Sequence, residues 1–83
     1  MHTYVIYDIV KDRIRKKIAD VCLDYGLKRI QYSAFLGDIN ATRRRALEDK
    51  LTEQLGKAEG KIEILSVCAK DYDKRTVIEE SDE

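Results

Sequence analysis

The amino-acid sequence predicts a small α+β domain, and three observations lead to that class. Strand-forming residues fill positions 3–9, two segments with helical spacing each end at a glycine, and strand-type segments occupy 27–39 and 61–69. Two helices on one face of an antiparallel sheet are the economical arrangement for this order, so a ferredoxin-like β-α-β-β-α-β layout fits best. We expect one domain over residues 1–78 and an acidic tail over residues 79–83.

The first strand is apolar or aromatic on both faces, with Asp8 as the exception. Val5, Tyr7 and Ile9 share one face, and a strand with two apolar faces is expected in the middle of a sheet, covered on both sides. A carboxylate in such a strand is costly unless it is paired, bound to a metal or exposed at the strand end. Asp8 is therefore either a solvated strand-end residue or a functional one.

Two helices follow from apolar spacing and capping signals. The first spans about 12–25, with Asp12 as a plausible N-cap and Gly26 directly after its end. The second begins after Asn40, which can cap it, and stops at Gly56. Its apolar seam consists of Leu47, Leu51 and Leu55.

The strand periodicity over 27–39 exceeds the length of one typical strand. The segment forms either one long bent strand or two short strands joined tightly around 31–33. Near the C-terminus, a charged turn at 70–74 precedes a short extra strand at 75–78, which is placed to pair with the sheet edge of a partner. Because one sheet face stays uncovered in so small a domain, we expect a homodimer built face to face.

The charges are unevenly divided although the net charge is zero. Residues 1–45 hold 10 Lys and Arg against 5 Asp and Glu, and residues 46–83 hold 6 against 11, which indicates a basic surface and an acidic tail. Two distant cysteines and one histidine argue against structural zinc, and we expect Cys22 and Cys68 to pack as small apolar residues. Neither a membrane-spanning stretch nor a signal-peptide pattern is present, so the expected location is the cytoplasm.

Basic residues gather at the starts of both predicted helices, where the helix dipole disfavours cations. We expect both starts to lie close to the end of the Asp8 strand and to attract phosphates. The alternative is a solvated charged face, screened by salt. The clusters are Lys11, Arg13, Arg15, Lys16 and Lys17 in the first helix and Arg43, Arg44 and Arg45 in the second, with Lys28 and Arg29 in the strand between them.

A polyanion, RNA or DNA, is the partner that this basic surface implies. The aromatic signature of RNA-recognition domains is absent, and the tyrosines do not sharpen the assignment. Four of them fall at positions that are expected to be core-like, namely Tyr4, Tyr7, Tyr25 and Tyr32.

Three features together resemble the small CRISPR-associated nuclease family of spacer acquisition. They are Tyr-Val-Ile-Tyr-Asp-Ile at 4–9, the basic helix after it, and Gly-Leu-Lys-Arg-Ile-Gln-Tyr-Ser-Ala-Phe-Leu-Gly-Asp at 26–38. The match runs from residue 3 to about 78. The resemblance implies a ferredoxin-like protomer, a symmetric homodimer and a divalent metal, usually Mg²⁺, held between the two strand-end aspartates. It also implies a partnership with the larger CRISPR integrase subunit.

Position by position, the resemblance implies that Asp8 is the metal-binding and catalytic residue. Lys17 stands where some members have arginine, so it keeps the charge but loses the bidentate fork. Further positions match the family's active cleft or nucleic-acid surface, namely Tyr7, Arg15, Arg29, Ser33 and Phe35. With these we expect Arg13, Lys17 and the arginines at 43–45 to contact nucleic acid.

Two functions follow from these residues. The first is a metal-dependent endonuclease that hydrolyses phosphodiester bonds of RNA or DNA, in which a divalent cation relieves the repulsion between two carboxylates. The second is a non-catalytic dimeric scaffold that binds duplex DNA and the integrase subunit, because one acid per chain is few for a nuclease. A regulatory domain for a small molecule is disfavoured, since no glycine-rich ligand turn is present.

Overall fold

A computed structural model describes residues 1–81 of the chain. Within that range the elements are β1 (His2–Ile9), α1 (Asp12–Asp24), β2 (Lys28–Gln31), β3 (Ala34–Asp38), α2 (Ala41–Leu55), β4 (Gly60–Val67) and α3 (Ala69–Asp73). The strands form one antiparallel sheet in the order β2-β3-β1-β4. This order is that of the ferredoxin-like layout, so the predicted fold class is confirmed.

Both long helices pack on the same face of the sheet, and the alternation along β1 explains why. Val5, Tyr7 and Ile9 are buried at 0%, 5% and 2% exposure, whereas Ile6 on the other face is 45% exposed. The two helices and β3 contribute the remaining core side chains, namely Ile14, Ile18, Val21, Cys22, Phe35, Leu47 and Leu51. β1 lies in the middle of the sheet, as predicted, and only one of its faces is covered.

The helix ends follow the signals in the sequence with one exception. The Oδ1 atom of Asn40 accepts a 2.8 Å hydrogen bond from the backbone N–H of Arg43, which caps α2. Gly26 and Gly56 end the two helices with positive φ values of 85° and 56°. The N-cap of α1, however, is Lys11 and not Asp12, which lies in the first turn.

Residues 27–39 form two strands, which settles the alternative left open by the periodicity. β2 and β3 are joined by a turn at residues 32–33, and their register shifts between Arg29 and Gln31. The carbonyl oxygen of Ser33 accepts a 3.0 Å hydrogen bond from the backbone N–H of Tyr7. The turn is therefore held against β1 without the glycine or asparagine that would have marked it in the sequence.

The extra strand predicted at residues 75–78 is wrong for the single chain. Residues 69–73 form the short helix α3 in place of part of the expected turn, and residues 75–81 have no regular structure. A strand needs a neighbouring edge for its backbone hydrogen bonds, and in the described part of the chain this segment pairs with none. Val77 and Ile78 stay 61% and 92% exposed. Of the predicted acidic tail, residues 82–83 lie outside the described residues.

The open face of the sheet carries an apolar patch beside charged residues. Ile6 and Leu65 are 45% and 55% exposed there, next to the half-buried Tyr4 and Leu36. Their shared face follows from the register, which places Tyr4 opposite both Leu36 and Leu65. The prediction of an uncovered apolar face is thus confirmed for the chain.

The two cysteines differ in environment. Cys22 is fully buried in the core, as predicted, whereas Cys68 is exposed at the N-cap of α3, so its expected packing is wrong. Both are free thiols. None of the helices in residues 1–81 combines the length and the apolar character that crossing a membrane requires.

Candidate nucleic-acid interface and metal ligand

Asp8 lies near the end of β1 on the open face of the sheet. It is exposed, and the register places it directly opposite Lys61 of β4. Lys61 directs its Nζ atom to the carboxylate of Glu63, 3.2 Å away. Within residues 1–81 Asp8 itself forms no side-chain hydrogen bond or ion pair, so its carboxylate oxygens face solvent. This position excludes a role in packing.

A single chain supplies few ligands for a metal at this position. Across residues 1–81, no group of three or more histidine, cysteine, aspartate or glutamate side chains is placed to hold an ion. Carboxylate oxygens are the ligands that Mg²⁺ prefers, and it keeps several waters when bound through only one or two carboxylates. Asp8 therefore fits a magnesium site only if a second copy of the chain contributes its own carboxylate.

Arg15 lies beside this strand end but its donors are directed to the protein. Its Nη1 atom donates hydrogen bonds to the carbonyl oxygens of Ile9 at 2.9 Å and Val10 at 3.3 Å. Its guanidinium also pairs with Asp12. The first turn of α1 is thereby tied to the residues that follow Asp8, and Arg15 acts on the shape of the β1–α1 connection.

Three further residues that the sequence singled out meet on the helix side of the sheet. The rings of Tyr7 and Phe35 stack with centroids 6.3 Å apart, and the guanidinium carbon of Arg29 lies 5.0 Å from the centroid of Phe35. Burial raises the pKa of Tyr7, against the opposing effect of the neighbouring Arg29. Tyr7 therefore keeps its hydroxyl proton at neutral pH.

Asp8 and this aromatic cluster occupy opposite faces of the sheet. Tyr7 and Phe35 are buried against the helices, while Asp8 alternates with Tyr7 along β1 and so faces the other way. Arg29 is paired with Phe35 across β2 and β3 and shares its face. The sequence grouped Asp8 and Arg29 into one site, whereas the chain presents them on two surfaces.

The arginines of α2 lie at the far end of the sheet from Asp8. β3 runs antiparallel to β1 and ends opposite His2, so α2 begins there and runs back toward Gly60, which pairs with Ile9. α1 has 13 residues, about 20 Å of helix, so its start is separated from that of α2 by about that length. The expectation that both basic helix starts surround Asp8 is wrong within one chain.

The individual α2 arginines also differ in their availability. The guanidinium of Arg44 donates to the carbonyl oxygen of Ile64 at 3.2 Å and pairs with Glu48 at 3.1 Å, which ties α2 to the edge strand β4. Arg43 places its guanidinium carbon 5.1 Å from the centroid of the Tyr25 ring. Arg45 is exposed, as are Arg13 and Lys17 on α1.

Tyr32 lies in an environment very different from the core-like position that the sequence pattern predicted. It was assigned to a core-like position with Tyr7, yet it is 71% exposed at the turn between β2 and β3. The alternation over 27–39 places it on an apolar face only if the strand is continuous. The turn at 32–33 breaks that continuity.

These observations define a ferredoxin-like domain with one exposed strand-end carboxylate and separate basic surfaces. The sequence profile of one protein family, described as "CRISPR associated protein Cas2", matches residues 1–75. The chain belongs to this family.

Relatives of known name agree with that membership. The chain is 46% identical over 81 residues to the "CRISPR-associated endoribonuclease Cas2" of Desulforudis audaxviator. The aligned segment covers 98% of this chain and 76% of the relative. It is 36% identical over 77 residues to a "CRISPR-associated endonuclease Cas1/endonuclease Cas2 fusion" of Thermoproteus tenax. Here the aligned segment covers 93% of this chain and 27% of the fusion. The crystal structure of Streptococcus pyogenes Cas2 superposes with a TM-score of 0.78 at 19% identity, covering 95% of this chain and 100% of that one. This last likeness concerns the fold.

Proposed function

We propose that the chain is a metal-dependent endonuclease of CRISPR adaptation, which acts as a homodimer on RNA or DNA. The observation that carries the proposal is the position of Asp8, an exposed carboxylate on the uncovered face of the sheet, without a partner in residues 1–81. A charge kept in that state on the same face of β1 as Ile6 contributes nothing to the fold. The relative from Desulforudis audaxviator is named an endoribonuclease and the fused relative from Thermoproteus tenax an endonuclease, and both names support the same class of activity.

The proposed dimer brings the two open faces together. Ile6 and Leu65 leave water on association, which supplies a favourable apolar term. The same association brings the two Asp8 carboxylates toward each other, and a divalent cation between them offsets their repulsion. The dimer and the metal site therefore depend on the same surface.

The chain's own residues supply positioning and charge. Arg15 fixes the β1–α1 connection beside Asp8 through the Ile9 carbonyl oxygen. Arg13 and Lys17 are exposed on the first turns of α1, at the same end of the sheet as Asp8, and are available for phosphates. Bound Mg²⁺ would polarise a phosphate oxygen and lower the pKa of a water, and Asp8 would orient that water by accepting a hydrogen bond from it.

The partner in adaptation is proposed to be the integrase subunit. The fused relative from Thermoproteus tenax carries the names Cas1 and Cas2 on one chain, which supports a functional association of the two. A second candidate function, a non-catalytic scaffold for duplex DNA and that subunit, is favoured by the single carboxylate that each chain offers. The two candidates differ in what Asp8 does.

Parallel cleavage assays on single- and double-stranded RNA and DNA test the proposal, with Mg²⁺ or with EDTA. If the chain is an endonuclease, we expect Mg²⁺-dependent cleavage products from the wild type and none from Asp8→Asn. The melting temperature and the affinity for nucleic acid should be the same for both proteins. Asp49→Asn is the matched control, because Asp49 is an exposed carboxylate on α2 away from β1. Equal cleavage by Asp8→Asn and the wild type would remove Asp8 from the mechanism.

Binding assays separate the scaffold from the nuclease. If the wild type cuts none of the four substrates but binds duplex DNA with a strong salt dependence, the scaffold is supported. Replacing Arg13 and Lys17 by glutamine then weakens binding and reduces the salt slope. Light scattering that finds a monomer throughout the working concentration range would contradict both candidates.

A further inference from the structure

A groove of about 540 Å³ runs between α1 and the β2–β3 hairpin, on the helix side of the sheet. Its floor contains the buried rings of Tyr7 and Phe35. Its walls contain Leu23 from α1 and Tyr32 from the turn, which are 56% and 71% exposed. The volume falls within the range of roughly 300–1,000 Å³ that is typical of ligand pockets.

The exposure of Tyr32 has no explanation within the fold. In the described part of the chain its hydroxyl forms no hydrogen bond and its ring pairs with no other ring or cation. A turn needs no aromatic residue, since turns favour glycine, asparagine, aspartate and serine. An exposed tyrosine and an exposed leucine on two walls of one groove leave apolar surface available to a flat ligand.

The polar residues of the groove are suited to the two ends of a nucleotide. Lys16 and Arg29 offer cations, and neither forms an ion pair within residues 1–81. Asp20 offers a carboxylate acceptor for the N–H groups of a base. The remaining charged pair, Asp12 and Arg15, neutralises itself. A planar ring with N–H donors joined to a phosphate is the ligand that uses all three kinds of group.

We propose that this groove binds one unpaired nucleotide of a nucleic-acid strand. The base lies against Tyr32 and Leu23, and the phosphate is held by Lys16 and Arg29. A base within a duplex is stacked and hydrogen-bonded to its partner, so only an unpaired base reaches the groove. The inference rests on the proposed function only in naming nucleic acid as the ligand, because the groove and Asp8 lie on opposite faces of the sheet.

Fluorescence anisotropy with labelled oligonucleotides tests the proposal, in EDTA so that metal-dependent cleavage is prevented. The probes are a single strand of mixed sequence, an abasic strand of the same length and a duplex. The wild type is expected to bind the single strand at least about fivefold more tightly than the abasic strand, the lower end for one stacked base. Tyr32→Ala removes that difference and leaves duplex binding unchanged, whereas Tyr32→Phe keeps it.

Neighbouring lysines provide the matched control for charge. Lys16 lines the groove and Lys17, the next residue of α1, does not. Lys16→Gln is expected to weaken binding of the single strand more than binding of the duplex, while Lys17→Gln weakens both by the same factor. All variants should retain the wild-type melting temperature, because the side chains of Lys16, Lys17 and Tyr32 are exposed.

The outcomes are distinct from those of the cleavage assay. Equal wild-type affinity for the normal and abasic strands, absence of binding to either, or a base-dependent difference that survives Tyr32→Ala would overturn the nucleotide groove. Loss of cleavage in Asp8→Asn has no bearing on these results, since the two sites are on different faces and the binding assay contains no free metal.

Discussion

Arg15 donates a 2.9 Å hydrogen bond from Nη1 to the carbonyl oxygen of Ile9, one residue beyond the proposed catalytic aspartate. The guanidinium also reaches the carbonyl oxygen of Val10 and pairs with Asp12. From its charge alone Arg15 belongs with the phosphate-binding residues. Its hydrogen bonds show that it also holds the β1–α1 connection together.

Replacing Arg15 by alanine is expected to destabilise the fold. The variant leaves the carbonyl oxygens of Ile9 and Val10 without their charged donor, which costs about 1.5–3 kcal/mol of unfolding free energy. Urea unfolding followed by circular dichroism measures the change. Arg15→Lys keeps the positive charge but loses the bidentate guanidinium. Compared with Arg15→Ala, it should therefore regain more of the phosphate affinity than of the unfolding free energy. An alanine variant as stable as the wild type would show that these hydrogen bonds contribute nothing.

Asn40 is expected to contribute to stability through its cap on α2. Asn40→Ala removes the acceptor of the Arg43 N–H and should lower the unfolding free energy by about 1 kcal/mol, or roughly 4–8 °C in melting temperature. Asn40→Asp keeps the acceptor and adds a negative charge at the helix start beside the arginines at 43–45. It should therefore equal or exceed the wild type. Equal melting temperatures for Asn40→Ala and Asn40→Asp would show that the cap does not stabilise α2.

The order of elements was readable from the sequence because each signal is local. The alternation around Val5 and Tyr7 identifies a central strand, and Gly26 and Gly56 have positive φ values where the two helices end. Asn40 precedes α2 and caps it. None of these assignments needs information from distant parts of the chain.

The composition of the candidate site was readable, but its geometry was not. The arginines at 43–45 share a sequence pattern with those of α1, yet the antiparallel reversal between β1 and β3 carries them to the other end of the sheet. Tyr32 was misplaced because its turn lacks the glycine or asparagine that would have marked it in the sequence. The segment at 75–78 has strand-forming residues, but within residues 1–81 it pairs with no edge of the sheet. These features depend on the topology of the whole sheet, which periodicity does not contain.

The two thiols are expected to differ in reactivity. Cys22 is fully buried, and burial raises the pKa of its thiol to about 12, whereas Cys68 is exposed. At pH 8 the native chain should react with one equivalent of a disulfide reagent, and the unfolded chain with two. Cys68→Ser should abolish the reaction of the native form. Two fast equivalents in the native protein would show that Cys22 is accessible.

The same thiol makes stability depend on alkaline pH. Below its ordinary pKa of 9.0, Cys22 is protonated in both the folded and the unfolded states and the effect is absent. Between pH 9 and about 12 the unfolded chain releases a proton that the folded chain retains, so the unfolding free energy falls as pH rises. Urea unfolding at several pH values should give a shallower decline for Cys22→Ala. An identical decline would assign the effect to other groups, such as the buried Tyr7.

Tyr72 is expected to hold the C-terminal segment against the sheet. Its ring stacks on His2 of β1 at a centroid distance of 3.8 Å, and the guanidinium carbon of Arg75 lies 3.6 Å from the same ring. α3 has no buried residues, so this stack is its principal attachment. A stacked aromatic pair contributes about 0.5–1.5 kcal/mol, which corresponds to roughly two- to tenfold protection from local opening. Tyr72→Ala should therefore increase the rate of tryptic cleavage after Lys70 by about that factor.

Two further variants separate this attachment from a general loss of stability. Tyr72→Phe keeps the ring and should retain the protection, while His2→Ala removes the other half of the stack and should behave like Tyr72→Ala. Both alanine variants should unfold in urea at nearly the wild-type midpoint, because neither side chain belongs to the buried core. If Tyr72→Ala is cleaved at the wild-type rate, α3 is held by other contacts and the stack with His2 does not anchor it.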